Sequence, residues 1–412
     1  MIPEPAIITG HAPADQLPPR TMSLSSLPLS YCTNVHPGRT LDEVCLGLRE
    51  YTAPTRDRFG SPLAAGLWLA NSVIRELKDE PDRVQRLIDE LSALDLVCYT
   101  LNTFPYGDFH SDRVKEKVYV PDWSTNERLN YTIDCAEVLA QLMPEGTEGS
   151  LSTVPLGFKQ LPHDESFLDQ CVSNLLHVAD SLDVLHDETG RVIRLAIEPE
   201  PLCILETTDE AITFFEQLRS SARTHGLEDV VQRHIGLCYD VCHQSVEFED
   251  VAESIRRLHA ADIRINKVHI TCALRLEDPA TNGEAREVLS HFVEPRYLHQ
   301  LFAKTKTGEI LAAVDLSKPL ALDPPDNYLN AEEWRVHFHV PVNAESLGPL
   351  LTTRDDLKRA LTAIADLNYA PHLEVETYTW VVLPGESQPP LVDGLTEELN
   401  ATRSLLDDIC SK

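Results

Sequence analysis

Residues 194–202 read "RLAIEPEPL". In a β-strand alternate side chains share a face, so Leu195 and Ile197 face one way and Glu198 the other. The two leucine-like positions suit a strand covered by helices. Glu198 then stands on the opposite face, at the strand's last position, and a proline follows it. In a closed parallel barrel that opposite face is the interior, and the C-terminal strand ends line the mouth. The stretch therefore asks what a carboxylate is paired with at such a place.

Working outward from it, short apolar runs alternate with amphipathic stretches from about residue 27. Strands are expected at 29–35, 65–70, 96–102, 149–154, 193–198, 234–240, 265–271 and 371–376. Between them, Leu168, Val172, Leu175, Ala179 and Leu182 recur at helical spacing within 164–186. Thr207 and Glu210 form a capping-box pattern ahead of Ile212, Phe215 and Leu218. Strand–helix alternation predicts a parallel sheet, and eight units predict a closed (β/α)8 TIM barrel. The first strand is not followed by a Gly-rich phosphate fingerprint, which argues against dinucleotide binding.

The interval from the seventh strand to the eighth is two or three times the usual unit. Residues 275–345 are read as an insertion at the barrel mouth, with a hairpin in "GEILAAVDLSKPLAL" and a strand in "EEWRVHFHVPV". The segment 275–333 is expected to cover the mouth as a lid or partner surface. A second register makes 334–341 a barrel strand in place of a weak early one. Residues 1–24 are Pro-rich and expected to be a disordered tail without a signal-peptide pattern, and Met22 offers a second start; the barrel domain is expected over 25–412.

The chain has 412 residues, with 66 acidic against 35 basic side chains and a net charge of −31. Such a field repels phosphate backbones and argues against nucleic-acid binding. The ten cysteines lack paired spacing and sit largely in apolar runs. They read as reduced, core-filling thiols of a cytoplasmic protein rather than a zinc–thiolate site. An apolar run long enough to span a membrane is missing.

The next three strands end as the fifth does. "CYDVCH" puts Asp240 at the tip of the sixth and His243 on the outgoing turn; "KVHIT" carries His269; "HLEVETYTW" points Glu374 and Glu376 inward. Carboxylates gathered in a cleft repel one another unless a cation lies among them. Glu198, Asp240, His269 and Glu376 are thus the expected ligands of a divalent metal, Mn, Mg, Co or Zn. Asn34, His36, Asn102, Tyr106 and His110 also reach toward the mouth, and His337 and His339 share a strand face above it. Of these, His36, Asn102, His110 and His339 are read with His243 as substrate contacts. Tyr378 and Trp380 form either an aromatic wall or rim packing.

The order Glu, Asp, His, Glu at four successive strand ends resembles the xylose-isomerase-like barrel superfamily of sugar isomerases, ketose epimerases and endonuclease IV. "YCTNVHPG", "NTFPYGDFH", "STVPLGF", "VHFHVPV" and "LEVETYTW" resemble the EboE-type metabolite traffic proteins more closely, over nearly all of 27–385. The superfamily resemblance implies metal ligation by Glu198, Asp240, His269 and Glu376, with His243 on substrate or metal. It implies an isomerase or epimerase of a sugar-like carbonyl compound, with Glu198 and Glu376 as base and acid. The EboE-type resemblance implies instead a protein that binds a secondary-metabolite precursor and contacts other proteins of its gene cluster. Net charge argues against the endonuclease reading.

Overall fold

The structure, a computed structural model, describes residues 24–385 and 389–411. The expected tail lies outside the described residues, apart from its last position. Seven strands come first: β1 (Ser30–Cys32), β2 (Ala64–Trp68), β3 (Thr100–Asn102), β4 (Gly149–Thr153), β5 (Ile193–Ile197), β6 (Ile235–Asp240) and β7 (Ile265–Ile270). An insertion adds β8 (Cys272–Glu277), β9 (Leu301–Lys304), β10 (Ile310–Ala313), β11 (Glu333–Val340), β12 (Ser346–Leu347) and β13 (Leu350–Thr352). The last strand is β14 (His372–Val375).

Strands β1–β7 and β14 pair in parallel and close on themselves, since β1 meets both β2 and β14. All eight expected strands are present. Leu195, Ile197, Leu373 and Val375 are buried toward the helices, as period-two alternation requires. The helix Thr208–His225 begins with the capping box: Thr207 accepts from the Glu210 amide and Glu210 accepts from the Thr207 amide.

The second register is not adopted. Only Thr271 separates β7 from β8, and the chain runs out of the barrel wall into a separate antiparallel sheet of order β10-β9-β11-β8-β13-β12. There β11 pairs with β8 and β9, so it cannot also serve the barrel. The hairpin likewise differs from expectation. Ile310–Ala313 pairs upstream with Leu301–Lys304, while Lys318–Leu322 is a short helix. Trp334, Val336, Phe338, Leu301 and Phe292 are all buried, and the insertion packs into one continuous hydrophobic core with the barrel. β11 lies over the mouth, against the helix Val241–Val246 and the turn Tyr378–Val382.

Candidate metal centre

Parallel pairing sets Asp240 beside His269 and His269 beside Glu374. Glu198 and Glu376 each stand one residue past a strand but extend its ladder, through amide hydrogen bonds to Thr153 and Ile270. All four expected ligands therefore point into the mouth, and each is at most 5% exposed.

His269 is their centre. Its Nδ1 lies 2.8 Å from Glu198 Oε1, 3.0 Å from Glu376 Oε2 and 3.6 Å from Asp240 Oδ2. One ligand atom from each of the four falls within 4.8 Å of all the others. Asp240 caps the helix that follows it: Oδ1 accepts from the His243 amide and from Thr271 Oγ1, leaving Oδ2 buried and unpartnered. Glu198 Oε2 is unpartnered too. Glu376 is oriented from across the barrel, where Oε1 accepts from Asn34 and Asn102 side-chain amides at 2.8 and 2.7 Å. Three carboxylates converging on one imidazole, with buried oxygens lacking donors, fit a divalent cation with mixed oxygen and nitrogen ligands.

The electrostatics match this crowding. Burial pushes the Glu198 carboxyl up to about 7 despite the His269 hydrogen bond. Burial opposes ionisation of Asp240 as well, yet the neighbouring imidazoles of His243, His339 and His269 hold it below its usual range. For His269, burial is outweighed by Cys238, Glu198 and Glu376, which favour the imidazolium.

Above the centre three more imidazoles cluster, with ring centroids 4.6 Å apart for His243–His337 and 5.3 Å for His337–His339. Each spends Nδ1–H on an oxygen: His243 on the Pro199 carbonyl, His337 on Gln300 Oε1 and His339 on the Glu376 carbonyl. The Nε2 atoms of His337 and His339 are left buried and unpartnered. With Asn34, Asn102, Glu198, Glu200 and Glu376 they line one end of a cavity of about 510 Å³, part of it open to solvent.

Two expected contacts are elsewhere. His36 stacks on Tyr51 at 4.5 Å and bonds Tyr31 Oη, behind the barrel wall. His110 bonds the Asn34 carbonyl and lies against Trp68. Neither lines the cavity. The amide nitrogen of Asn102 is committed to Glu376, so it acts on the carboxylate. Tyr378 is in the wall, whereas Trp380 donates to buried Glu398 at the rim.

Sequence reasoning missed Glu200, Tyr119, Gln300 and Lys267. Glu200, two residues after Glu198, accepts from Tyr119 Oη at 2.7 Å, and burial raises it well above the carboxylate range. Its spacing in "EPEP" was the available signal. Lys267 lies beneath the centre, where its Nζ is 2.6 Å from Glu374 Oε1 and both side chains are fully buried. Glu374 also stands 3.4 Å from His269 Nε2. A Cβ at position 66 would overlap Glu374 Oε2, so only glycine fits there.

No protein-family model matches the sequence, and no curated protein matches it. Solved structures do. An L-ribulose 3-epimerase superposes with a TM-score of 0.50 at 14% identity, covering 93% of this chain and 95% of its own. A D-tagatose 3-epimerase-like protein gives 0.50 at 11%, covering 93% and 99%. A xylose-isomerase-like TIM-barrel protein from Mycobacterium smegmatis, in complex with magnesium, gives 0.50 at 13%, covering 92% and 98%. Identities this low speak to the fold. The chain has the xylose-isomerase-like (β/α)8 barrel fold, with an insertion between its seventh and eighth barrel strands.

Proposed function

We propose that this protein is a divalent-metal-dependent isomerase or epimerase that acts on a polyhydroxylated, sugar-like carbonyl compound by proton transfer. One observation carries the reading: three buried carboxylates converge on His269 Nδ1 at the floor of a cavity, two of them with a donorless oxygen. Glu198, Asp240, His269 and Glu376 would hold the cation, Mn, Mg, Co or Zn. A cation there supplies a Lewis acid that polarises a carbonyl oxygen and acidifies the neighbouring C–H. Glu198 and Glu376 flank His269 and would serve as base and acid, each moving a proton at a carboxylate oxygen. Asn34 and Asn102 fix the approach of Glu376. The Nε2 atoms of His243, His337 and His339 would accept hydrogen bonds from substrate hydroxyls. The descriptions of the structural neighbours, two of them ketose 3-epimerases or similar and one a magnesium complex, support this class.

A second reading is an EboE-type metabolite traffic protein that holds a secondary-metabolite precursor without isomerising it. The aromatic half of the cavity favours it, and partner proteins would then meet the insertion. Proton NMR in D2O separates the two. A diamagnetic Mg2+- or Zn2+-loaded protein is mixed with a panel of ketoses and cyclitol ketones, and loss of the α-proton signal is followed. The isomerase reading expects exchange that falls by about 10²–10⁴-fold in Glu376→Gln. Metal binding with no exchange on any compound favours the traffic reading.

A further inference from the structure

The cavity has two chemically different ends. One holds the carboxylates and histidines described above. The other is made by Phe104, Phe109, Val118, Tyr119, Tyr297 and Tyr378. Phe109, Tyr297 and Tyr378 touch one another with centroids 4.9, 5.4 and 5.0 Å apart, and Tyr378 lies 4.7 Å from His339, so the aromatic wall begins where the polar end stops.

The polar groups of that second end are already engaged. Tyr119 Oη donates to Glu200 and accepts from Gln300, and Tyr297 Oη donates to the Phe109 carbonyl. Lys115, which also lines the cavity, gives its ammonium to the Glu294 and Tyr297 carbonyls and to Asp315. Only the Tyr378 hydroxyl is left among them. A sugar hydroxyl laid against this wall would lose water without gaining a partner, at a cost of about 1–3 kcal/mol for each such group. An apolar or aromatic group there would gain from burial and ring contact. Both ends line the same cavity.

We infer that the substrate is a conjugate: a polyhydroxylated carbonyl unit at the carboxylate–histidine end, joined to an aromatic group seated against Phe109, Tyr297 and Tyr378. The sugar half of this statement rests on the proposed function; the aromatic half rests on the wall alone.

The test uses the full chain loaded with Mg2+ and two probes, the benzyl and methyl ethers of D-fructose at its first carbon, compared by titration calorimetry. The benzyl ether is expected to bind about tenfold to hundredfold more tightly, as burial of one aromatic ring predicts. Phe109→Ala should erase most of that gain and leave the methyl ether's affinity unchanged. Val118→Asn, which makes the wall polar without opening the core, should do the same, and thermal unfolding checks that both variants fold. Equal affinities for the two ethers, undetectable binding of both included, overturn the inference, as does a gain that survives both substitutions. Proton exchange of the methyl ether without any benzyl gain would sink the aromatic half and leave the isomerase reading standing. A benzyl gain without exchange on either ether would do the reverse.

Discussion

Lys267 Nζ lies 2.6 Å from Glu374 Oε1 inside the barrel, and both side chains are completely buried beneath His269. Ser30 Oγ donates to the other oxygen of Glu374 at 2.7 Å. A buried pair of this kind contributes little net stability but leaves a costly charge when one member is lost. Lys267→Met is therefore expected to destabilise the fold by about 3–5 kcal/mol, and Lys267→Met with Glu374→Leu to recover most of that. Urea unfolding of the single and double variants decides it. A single variant as stable as the wild type would show that the pair is not ionised.

Gly66 faces the same pair. Because a methyl group there overlaps the Glu374 carboxylate, and because barrel strands β2 and β1 leave no room to part, Gly66→Ala should displace Glu374 or prevent folding. Far-UV circular dichroism and unfolding of the variant check this. A wild-type midpoint would contradict the close approach.

Asn102 is expected to act through Glu376. Asn102→Ala removes one of two amides that orient the carboxylate, and loss of such a supporting contact typically weakens metal affinity by about 10–100-fold. Competition for Zn2+ against a chelating dye reads this directly. An unchanged affinity, with the fold intact, would leave Asn102 a substrate contact instead.

Glu398 sets a pH dependence. Burial raises its carboxyl from 4.5 to about 7, against the hydrogen bonds from Thr377, Trp380 and the Val342 amide. A carboxyl raised in the folded state favours folding while it stays protonated, fully below the unfolded pKa, and that contribution is lost as pH rises through the folded pKa. The contribution of this group should thus decline between about pH 4.5 and pH 7, by on the order of 3 kcal/mol. Glu398→Gln should flatten that slope in denaturation measured across the range. A wild-type-minus-variant stability difference that grows rather than shrinks as pH rises, or does not change, would contradict the assignment.

The barrel and the convergence of its strand ends were legible because period-two alternation is local. Leu195, Ile197 and Glu198 suffice to fix which way Glu198 points, and the same holds for Leu373, Val375 and Glu376. His36 lies away from the cavity for a local reason too: β1 lasts three residues and turns at once into the 3-10 turn Thr33–Val35, which carries His36 behind the wall. Lys267 was invisible because a lysine in a strand reads as solvent-facing, and its partner Glu374 becomes a neighbour only when β14 closes against β7. The insertion's sheet was only partly read. β8 follows β7 with one residue between, so the two read as one run, and β9 has no turn signal until the Thr307–Gly308 tip.

The central claim is that the four strand ends hold a divalent cation, and metal content tests it most directly. Wild-type protein, Asp240→Ala and His269→Ala are incubated with Mn2+, Co2+ or Zn2+, freed of excess by gel filtration and assayed by plasma mass spectrometry, with circular dichroism as the control for folding. The expected result is stoichiometric metal in the wild type, on the order of one ion per chain for the four-ligand set, and its loss from both variants while the barrel stays folded. Wild-type protein that retains no metal, or folded variants that retain as much as the wild type, would contradict the account.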